Sequence, residues 1–524
     1  MSEKQIKMTF TIKKSKKMKK FIYINLIFAT LLFSTGCKKG FLTDLAVNPN
    51  QPSQAPAPLI LPPILTGYAA NTHFGSGTIG LWMGYFSISG GYSVTNQTIT
   101  YYVSTASPSN WDNIYSLLKN AAYIESNSAS DPNGAYSVAA AKILKAWGFQ
   151  ILVDGYGDVP YGQAFKGSQN FFPTYDGGQS IYDSSISQLD NAIDLINNAT
   201  STTTNLGSND VMFGGDMDRW AKFANTLKLR YIIRQSNIIT DAAAQAEIAK
   251  TASTGYLTSD AMVNPGYSNT DGKQNPFWAS YGTSPGGSLI SDGYNYLRAG
   301  AAGLNFFKDS SDSRLYYVYA PDNSRPDVSD FFTTNDTASK YHGVFYGDRT
   351  AASAQNNKGT GGIGHGVMSG FNASVPLMTA SESYFLQSEA AMRSWISGDA
   401  KGLLDKAITA SYEYLYSQAG DGGADADAAN YLATHTIPAD LRNIITQKWA
   451  ALDGVNCFEA WTEYRRTGFP SISILPLSKA PGLTAHIPTK LMYPTSEQNT
   501  NADNYNAAVA KGNDPQATKI FWMK

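Results

Sequence analysis

Seven stretches of this chain place apolar residues at helical spacing, and between them run polar, tyrosine-rich segments far too long to be turns. In 111–126, Ile114, Leu117, Leu118 and Ala121 share one face, and 136–153 repeats the pattern with Ala140, Ile143, Leu144, Trp147 and Ile151. The segment 180–197 does so with Ile181, Ile186, Leu189, Ile193 and Ile196; 218–238, 379–396, 400–418 and 439–452 follow. Ser397-Gly398-Asp399 separates two of these helices by one short turn, the form of a helical hairpin. Its aromatic-x-x-small-Glu-Ala pattern, followed by Lys-Ala-Ile, resembles a tetratricopeptide unit. The spacing therefore predicts a mainly α fold of TPR-like hairpins. The intervening segments 67–108, 155–178, 255–300 and 320–375 form a long loop-rich face, where ligand contact is expected.

Composition narrows what those loops meet. The chain has 32 Tyr, 24 Phe and 9 Trp, while charged residues are only 15%, well under the ~25% usual for globular chains. Such a chain is not intrinsically disordered. Its Tyr, Asn, Ser and Gly suit neutral polar ligands.

The N-terminus is an address rather than a fold element. A basic run, Lys13–Lys20, precedes 13 mostly apolar residues, Phe21–Phe33, and then Ser34-Thr35-Gly36-Cys37. Thirteen residues are too few to span a bilayer, which takes about 20, but they suit a signal peptide. Small residues before a cysteine at this point form a lipobox, with Ser34 in place of the usual leucine. We expect residues 1–36 to be a removable signal, with Cys37 carrying lipid. Residues 37–58 would be the lipidated start and tether, and 59–524 one helical domain. Met8 or Met18 would serve as a start equally well. Removing 1–36 takes away eight lysines and one acid and leaves a mature charge of −8, which disfavours nucleic acid. Cys457 then has no intrachain partner and reads as a small buried hydrophobe.

Motifs that suggest catalysis fail on their own chemistry. Gly75-x-Gly77-x-x-Gly80 and Gly359-x-Gly361-x-x-Gly364 have no apolar strand before them, as a dinucleotide site requires. Gly282-Thr283-Ser284-Pro285-Gly286 puts proline where a nucleophile elbow needs an oxyanion-hole N–H. The five histidines are scattered, so no transition-metal site or cofactor is expected. Asp154/Asp158 and Glu459/Glu463 could be imagined as glycosidase pairs. Capping by Asp158, and ion pairing of Glu459 and Glu463 with the neighbouring Arg465 and Arg466, are the simpler readings. No catalytic residue is assigned. The aromatic loops are more informative: Trp82, Tyr85, Tyr92, Trp278 and Tyr281 are the candidate ligand contacts. Trp82 and Trp278 are the first choices for stacking on sugar rings.

Six ordered blocks resemble the SusD/RagB family of Bacteroidetes nutrient-binding lipoproteins, in the branch with an early Asn-Pro-Asn. They are the lipobox with Asn48-Pro49-Asn50; Asp154-Gly155-Tyr156-Gly157-Asp158-Val159-Pro160-Tyr161; and Arg219-Trp220 through Leu229-Arg230. Then come Tyr384-Phe385-Leu386 with Glu389-Ala390; Gln447-Lys448-Trp449 running to Glu459-Ala460-Trp461 and Gly468-x-Pro470; and Ile487-Pro488 through Tyr493-Pro494-x-x-Glu497. The resemblance implies a TPR-containing helical fold and no enzymatic activity. It implies a glycan ligand, or in some members a peptide or other nutrient. It also implies a SusC-like TonB-dependent transporter as partner, on which a lipid-anchored protein sits at the outer membrane, facing the cell surface. A lipoprotein glycoside hydrolase is the rival from the enzyme class. Lys38-Lys39-Gly40 departs from the acids that often follow the lipidated cysteine in the family.

Overall fold

The computed structural model describes residues 56–73, 76–89, 101–324, 337–347, 359–471, 473–475 and 486–524. Cys37, Tyr92 and the proposed signal and tether up to residue 55 lie outside the described residues.

Counting helices of eight residues or more, the chain forms α1 (Ala57–Thr72), α2 (Trp111–Ser128), α3 (Ala135–Tyr156), α4 (Gly178–Asn197), α5 (Met217–Arg234) and α6 (Asp241–Ala249). After a long irregular region come α7 (Ala301–Asp309), α8 (Ala380–Met392), α9 (Ala400–Ala419), α10 (Ala424–Thr434), α11 (Leu441–Ala451), α12 (Cys457–Thr467) and α13 (Ala502–Val509). The seven helices read from periodicity are all present, with ends moved by a few residues.

Consecutive helices pack on one another from α1 through α5, and again from α8 through α10; α11 joins α8, and α5 packs against α8. The α8–α9 hairpin is closed by its sequence. Asp399 caps α9 by accepting the Lys401 N–H, and Gly420 ends it in the left-handed conformation at φ 77°. Helix α3 is buried nearly all round, as expected of a helix enclosed by neighbours. Its Trp147 stacks on Tyr68 of α1 at 4.8 Å.

Helix α1 departs from expectation. The tether is expected to reach residue 58, yet the helix starts at Ala57 and runs straight through Pro62 and Pro63. Two interior prolines forfeit backbone hydrogen bonds. Burial of Leu61, Ile64, Leu65 and Tyr68 against α2 and α3 outweighs that loss, so tertiary packing overrides local propensity.

Among the described residues, the long segments between helices are stitched by four two-stranded antiparallel pairs. Strand β1 (Phe86–Ile88) pairs with β5 (Leu297–Ala299), and β2 (Val159–Pro160) with β3 (Tyr175–Asp176). Strand β4 (Ala261–Val263) pairs with β8 (Val375–Met378), and β6 (Tyr319–Asp322) with β7 (Gly361–Ile363). These short pairs were not anticipated; two to four residues are too few for an alternating pattern to register.

Candidate functional site

The acids that resemble catalytic pairs sit inside an ion-pair cluster. Helices α5, α8, α11 and α12 bring Arg234, Lys448, Arg466, Glu389, Glu459 and Glu463 together, all buried. Arg234 donates to Glu459 at 2.6 Å and to Glu463 at 2.9 Å. Lys448 donates to the same two carboxylates at 2.9 and 3.0 Å. Arg466 bridges Glu463 and Glu389, and Arg230 pairs with Glu382 at 3.0 Å. Burial alone would raise the Glu463 carboxyl, but Arg466, Lys448 and Arg234 hold it well below its ordinary value. A carboxylate so occupied offers no proton to a substrate.

Arg465 does not join this cluster as expected. It lies over Trp461 at 3.4 Å and donates to the carbonyl oxygens of Asp154 and Thr489. Burial lowers its guanidinium to about 9. Asp154 accepts from Trp522 and Tyr182. Asp158 accepts the Gly178 N–H at the start of α4, which is the capping role expected of it. Asp154 and Glu459 border a cavity of about 30 Å³, room for about one water and none for a sugar ring.

Other motifs resolve equally plainly. Ser284 lies in a tight turn: its N–H bonds Ser288 O, and Gly287 N–H bonds back to Ser284 O. Cys457 is buried, and burial pushes its thiol up to about 12, so it carries no reactive thiolate.

The candidate aromatic contacts are placed mostly inside. Trp82 is 1% exposed and meets Trp461 edge-on at 5.6 Å. Tyr85 is fully buried, stacks on Trp449 at 5.3 Å and donates to the Trp449 carbonyl at 2.6 Å. Trp278 is buried in the short helix Pro276–Tyr281; its ring covers Gly282, leaving no space there for a Cβ. Tyr281 is half-buried and tilted on Phe277, which in turn stacks on His73. In this conformation the rings pin irregular backbone to the helices. An irregular segment has no ladder of its own, so side-chain burial must supply its order.

A groove of about 590 Å³ opens along α7, within the usual size range of ligand sites. Its lining includes Asn305, Phe306 and Asp309 of α7, with Phe345, His435 and Ser473 from three other segments. Helix α7 is set in place by close approach. Gly303 N–H bonds Gly84 O at 2.9 Å, and a Cβ on Gly303 would fall 2.2 Å from the Tyr319 hydroxyl. Phe306 is held edge-on against Trp449 at 5.4 Å. His435 stacks on Tyr431 at 4.4 Å, and its Nδ1 lies 2.9 Å from the Tyr431 carbonyl, which fixes Nδ1 as the donor and leaves Nε2 as the ring's other polar atom. The groove thus combines aromatic surface with amide, carboxylate, imidazole and hydroxyl groups. That set can bind a neutral polyhydroxylated molecule by ring faces and hydrogen bonds together.

Sequence reasoning missed this groove. Phe306 and Asn305 lie in a helix of nine residues, and His435 and Ser473 are brought in from far along the chain. Among the described residues no cluster of His, Cys, Asp and Glu is arranged to hold a metal, and no helix is long and apolar enough to cross a membrane.

Comparison with known proteins agrees with the helical architecture. The SusD-like family, described as starch-binding and associating with the outer membrane, matches residues 49–494. A chitin-binding protein of solved structure is 24% identical, with a TM-score of 0.70, covering 90% of this chain and all of its own. A SusD homologue from Bacteroides fragilis is 20% identical, with a TM-score of 0.72 and coverage of 90% and 100%. A chitin-binding SusD homologue from Flavobacterium johnsoniae is 22% identical, with a TM-score of 0.67 and coverage of 88% and 98%. At these identities the likeness establishes the fold. No curated protein matches the sequence.

Proposed function

The chain belongs to the SusD-like family, and from that premise we propose that it is a non-catalytic outer-membrane binding protein for a glycan. It takes the ligand in the groove between α7 and the loops at Phe345, His435 and Ser473, and delivers it to a SusC-like TonB-dependent transporter. The observation that carries this reading is the groove's chemistry: half-buried Phe306 beside Asn305 and Asp309, in a volume of about 590 Å³. Ring faces meet the C–H faces of sugars, and amide and carboxylate groups meet hydroxyls. The chitin-binding relatives and the family's starch-binding description support the same ligand class.

The placement of the acids supports a binding role without turnover. Glu459 and Glu463 are saturated by Arg234, Lys448 and Arg466, and the cavity beside Glu459 is water-sized. Tyr85 then backs the ligand face indirectly, through Trp449, which holds Phe306. Lipidation at Cys37 holds the protein at the membrane. Tethering raises its local concentration near a transporter, so modest affinities suffice for capture and handover; a Kd near 1 mM is about −4 kcal/mol.

The test incubates the mature protein with maltoheptaose and chitohexaose and follows both binding and products. Saturable binding without cleavage is expected; turnover abolished by replacing one carboxylate would establish the hydrolase instead. Replacing Cys37 by serine should move the protein out of the membrane fraction, and an unchanged distribution would refute the anchor.

A further inference from the structure

Among the described residues the exposed large hydrophobic side chains are few, and three of them share one loop. Phe165, Phe171 and Phe172 are 37%, 70% and 62% exposed, in the connection from β2 to β3. Water should disfavour such side chains, and contiguous apolar exposure marks a contact surface.

This loop is braced. The Asp176 carboxylate accepts the N–H groups of Tyr161 and Gly162, both at 2.9 Å. Gln163 Oε1 accepts from the Asn170 amide at 2.8 Å and from Thr174 N–H at 3.2 Å. From the C-terminal region, Asn504 donates to the Phe172 carbonyl at 3.1 Å and Asn501 to the Pro173 carbonyl at 2.9 Å. Phe165 sits at φ 63°, a conformation that bulky residues rarely accept, with its inner side against Tyr115 and Phe149. The backbone on both sides of Phe171 and Phe172 is thus fixed, and the two rings are presented outward.

We propose that Phe171 and Phe172, on the same loop as Phe165, form an aromatic plug that docks into an apolar socket on a protein partner. This rests on the functional reading above, which makes that partner the outer-membrane transporter. Two observations choose this occupant. The three rings expose on the order of 300 Å², under half of the ~800 Å² each partner gives to a standard interface. Two copies meeting through this loop would fall short of a stable dimer, whereas a tethered pair needs only a small anchor. Rigid bracing is the second observation. Preorganised rings suit a socket of fixed shape, because little freedom is lost on docking. A fluid bilayer places no such demand.

The test replaces Phe171 or Phe172 with a photo-crosslinking phenylalanine analogue in the full chain, in its native outer membrane. Ile238, exposed elsewhere, is the control position. The expected result is a crosslink to a β-barrel transporter, identified by mass spectrometry, from positions 171 and 172 and not from 238. The Phe171→Ser/Phe172→Ser double variant should recover at least tenfold less transporter on mild detergent purification, with membrane anchoring and oligosaccharide binding unchanged. Crosslinks from these positions to lipid or to a second copy would overturn the proposal. So would full transporter recovery by the double variant, which would leave the functional reading standing. Failure of the unaltered protein to recover or crosslink any barrel would refute the functional reading and this proposal with it.

Discussion

In the stack of α5, α8, α11 and α12, guanidinium and ammonium groups lie buried among carboxylates; around β1, β5 and α7, aromatic rings fill the same structural place. Arg234 is enclosed by Glu459, Glu463 and Asp154, while Trp82 meets Trp461 and Tyr85 stacks on Trp449 under the loops. Each material suits its region. Charged groups demand fixed partners in fixed geometry, which rigid helices can supply. Rings tolerate irregular backbone because their burial is non-directional and large. The difference teaches where each kind of damage should appear. Cutting an ion pair should strike the scaffold, cutting a buried ring should loosen the loop side, and cutting a groove residue should touch only binding.

The largest effect is expected from Arg234→Met. It leaves Glu459, Glu463 and Asp154 short of a buried cation, and losing one partner of a buried pair is worth about 3–5 kcal/mol. Denaturant unfolding should show the midpoint falling accordingly. A change under about 1 kcal/mol would mean that Lys448 and Arg466 already compensate, and that the cluster is not the scaffold's keystone.

Trp82→Ala should follow, at about 3 kcal/mol for a large buried ring. Affinity for an oligosaccharide should then recover in Trp82→Phe, which refills most of the space. A variant of full stability and no affinity would instead put the Trp82 ring in direct ligand contact.

The third prediction concerns pH and separates the two regions by sign. Asp453, buried beside β6, accepts from the Tyr319 hydroxyl, 2.5 Å away, and burial raises its carboxyl to about 8. The folded state therefore holds a proton that the unfolded chain releases above its ordinary value of 3.8. Stability from this group is full below pH ~4 and falls until about pH 8. Glu463 acts oppositely, since its carboxyl is held low: its contribution is present above 4.5 and is lost as acid protonates it in the folded state. Asp453→Asn should remove this decline, about 2 kcal/mol over the roughly 1.5 pH units from pH ~5.5 to ~7, and leave the acid limb intact. Unchanged pH dependence would show that Asp453 is ionised in the fold.

Legibility in the sequence divides along the same line. Helices α2 to α5, α8, α9 and α11 announce themselves because one face is apolar at period 3.6, and the Ser397-Gly398-Asp399 turn shows the hairpin. Glu459 and Glu463 were readable as ion-pairing residues, although their partners were not: Arg234 and Lys448 come from other helices, and spacing within one helix cannot reveal them. The loop side was legible only as a region. A tryptophan among glycines looks the same in sequence whether it faces a sugar or, like Trp82, another tryptophan. The groove depends on Gly303 seating α7 against Tyr319, a contact between residues sixteen positions apart that carries no periodic signal. Helix α1 was obscured by Pro62 and Pro63, whose local preference is opposed to the packing they end up in.

The smallest change in stability and the most direct reading of the central claim come from the groove itself. Isothermal titration calorimetry of maltoheptaose and chitohexaose should be run on the unaltered mature protein and on Asn305→Ala/Asp309→Ala. Both substituted residues sit on the solvent side of α7, so the fold should be unaffected within about 0.5 kcal/mol. The account predicts saturable binding of at least one oligosaccharide, without cleavage, weakened about tenfold in the double variant, equivalent to ~1.4 kcal/mol. Equal affinity in both proteins, or binding of peptides and no carbohydrate, would contradict it.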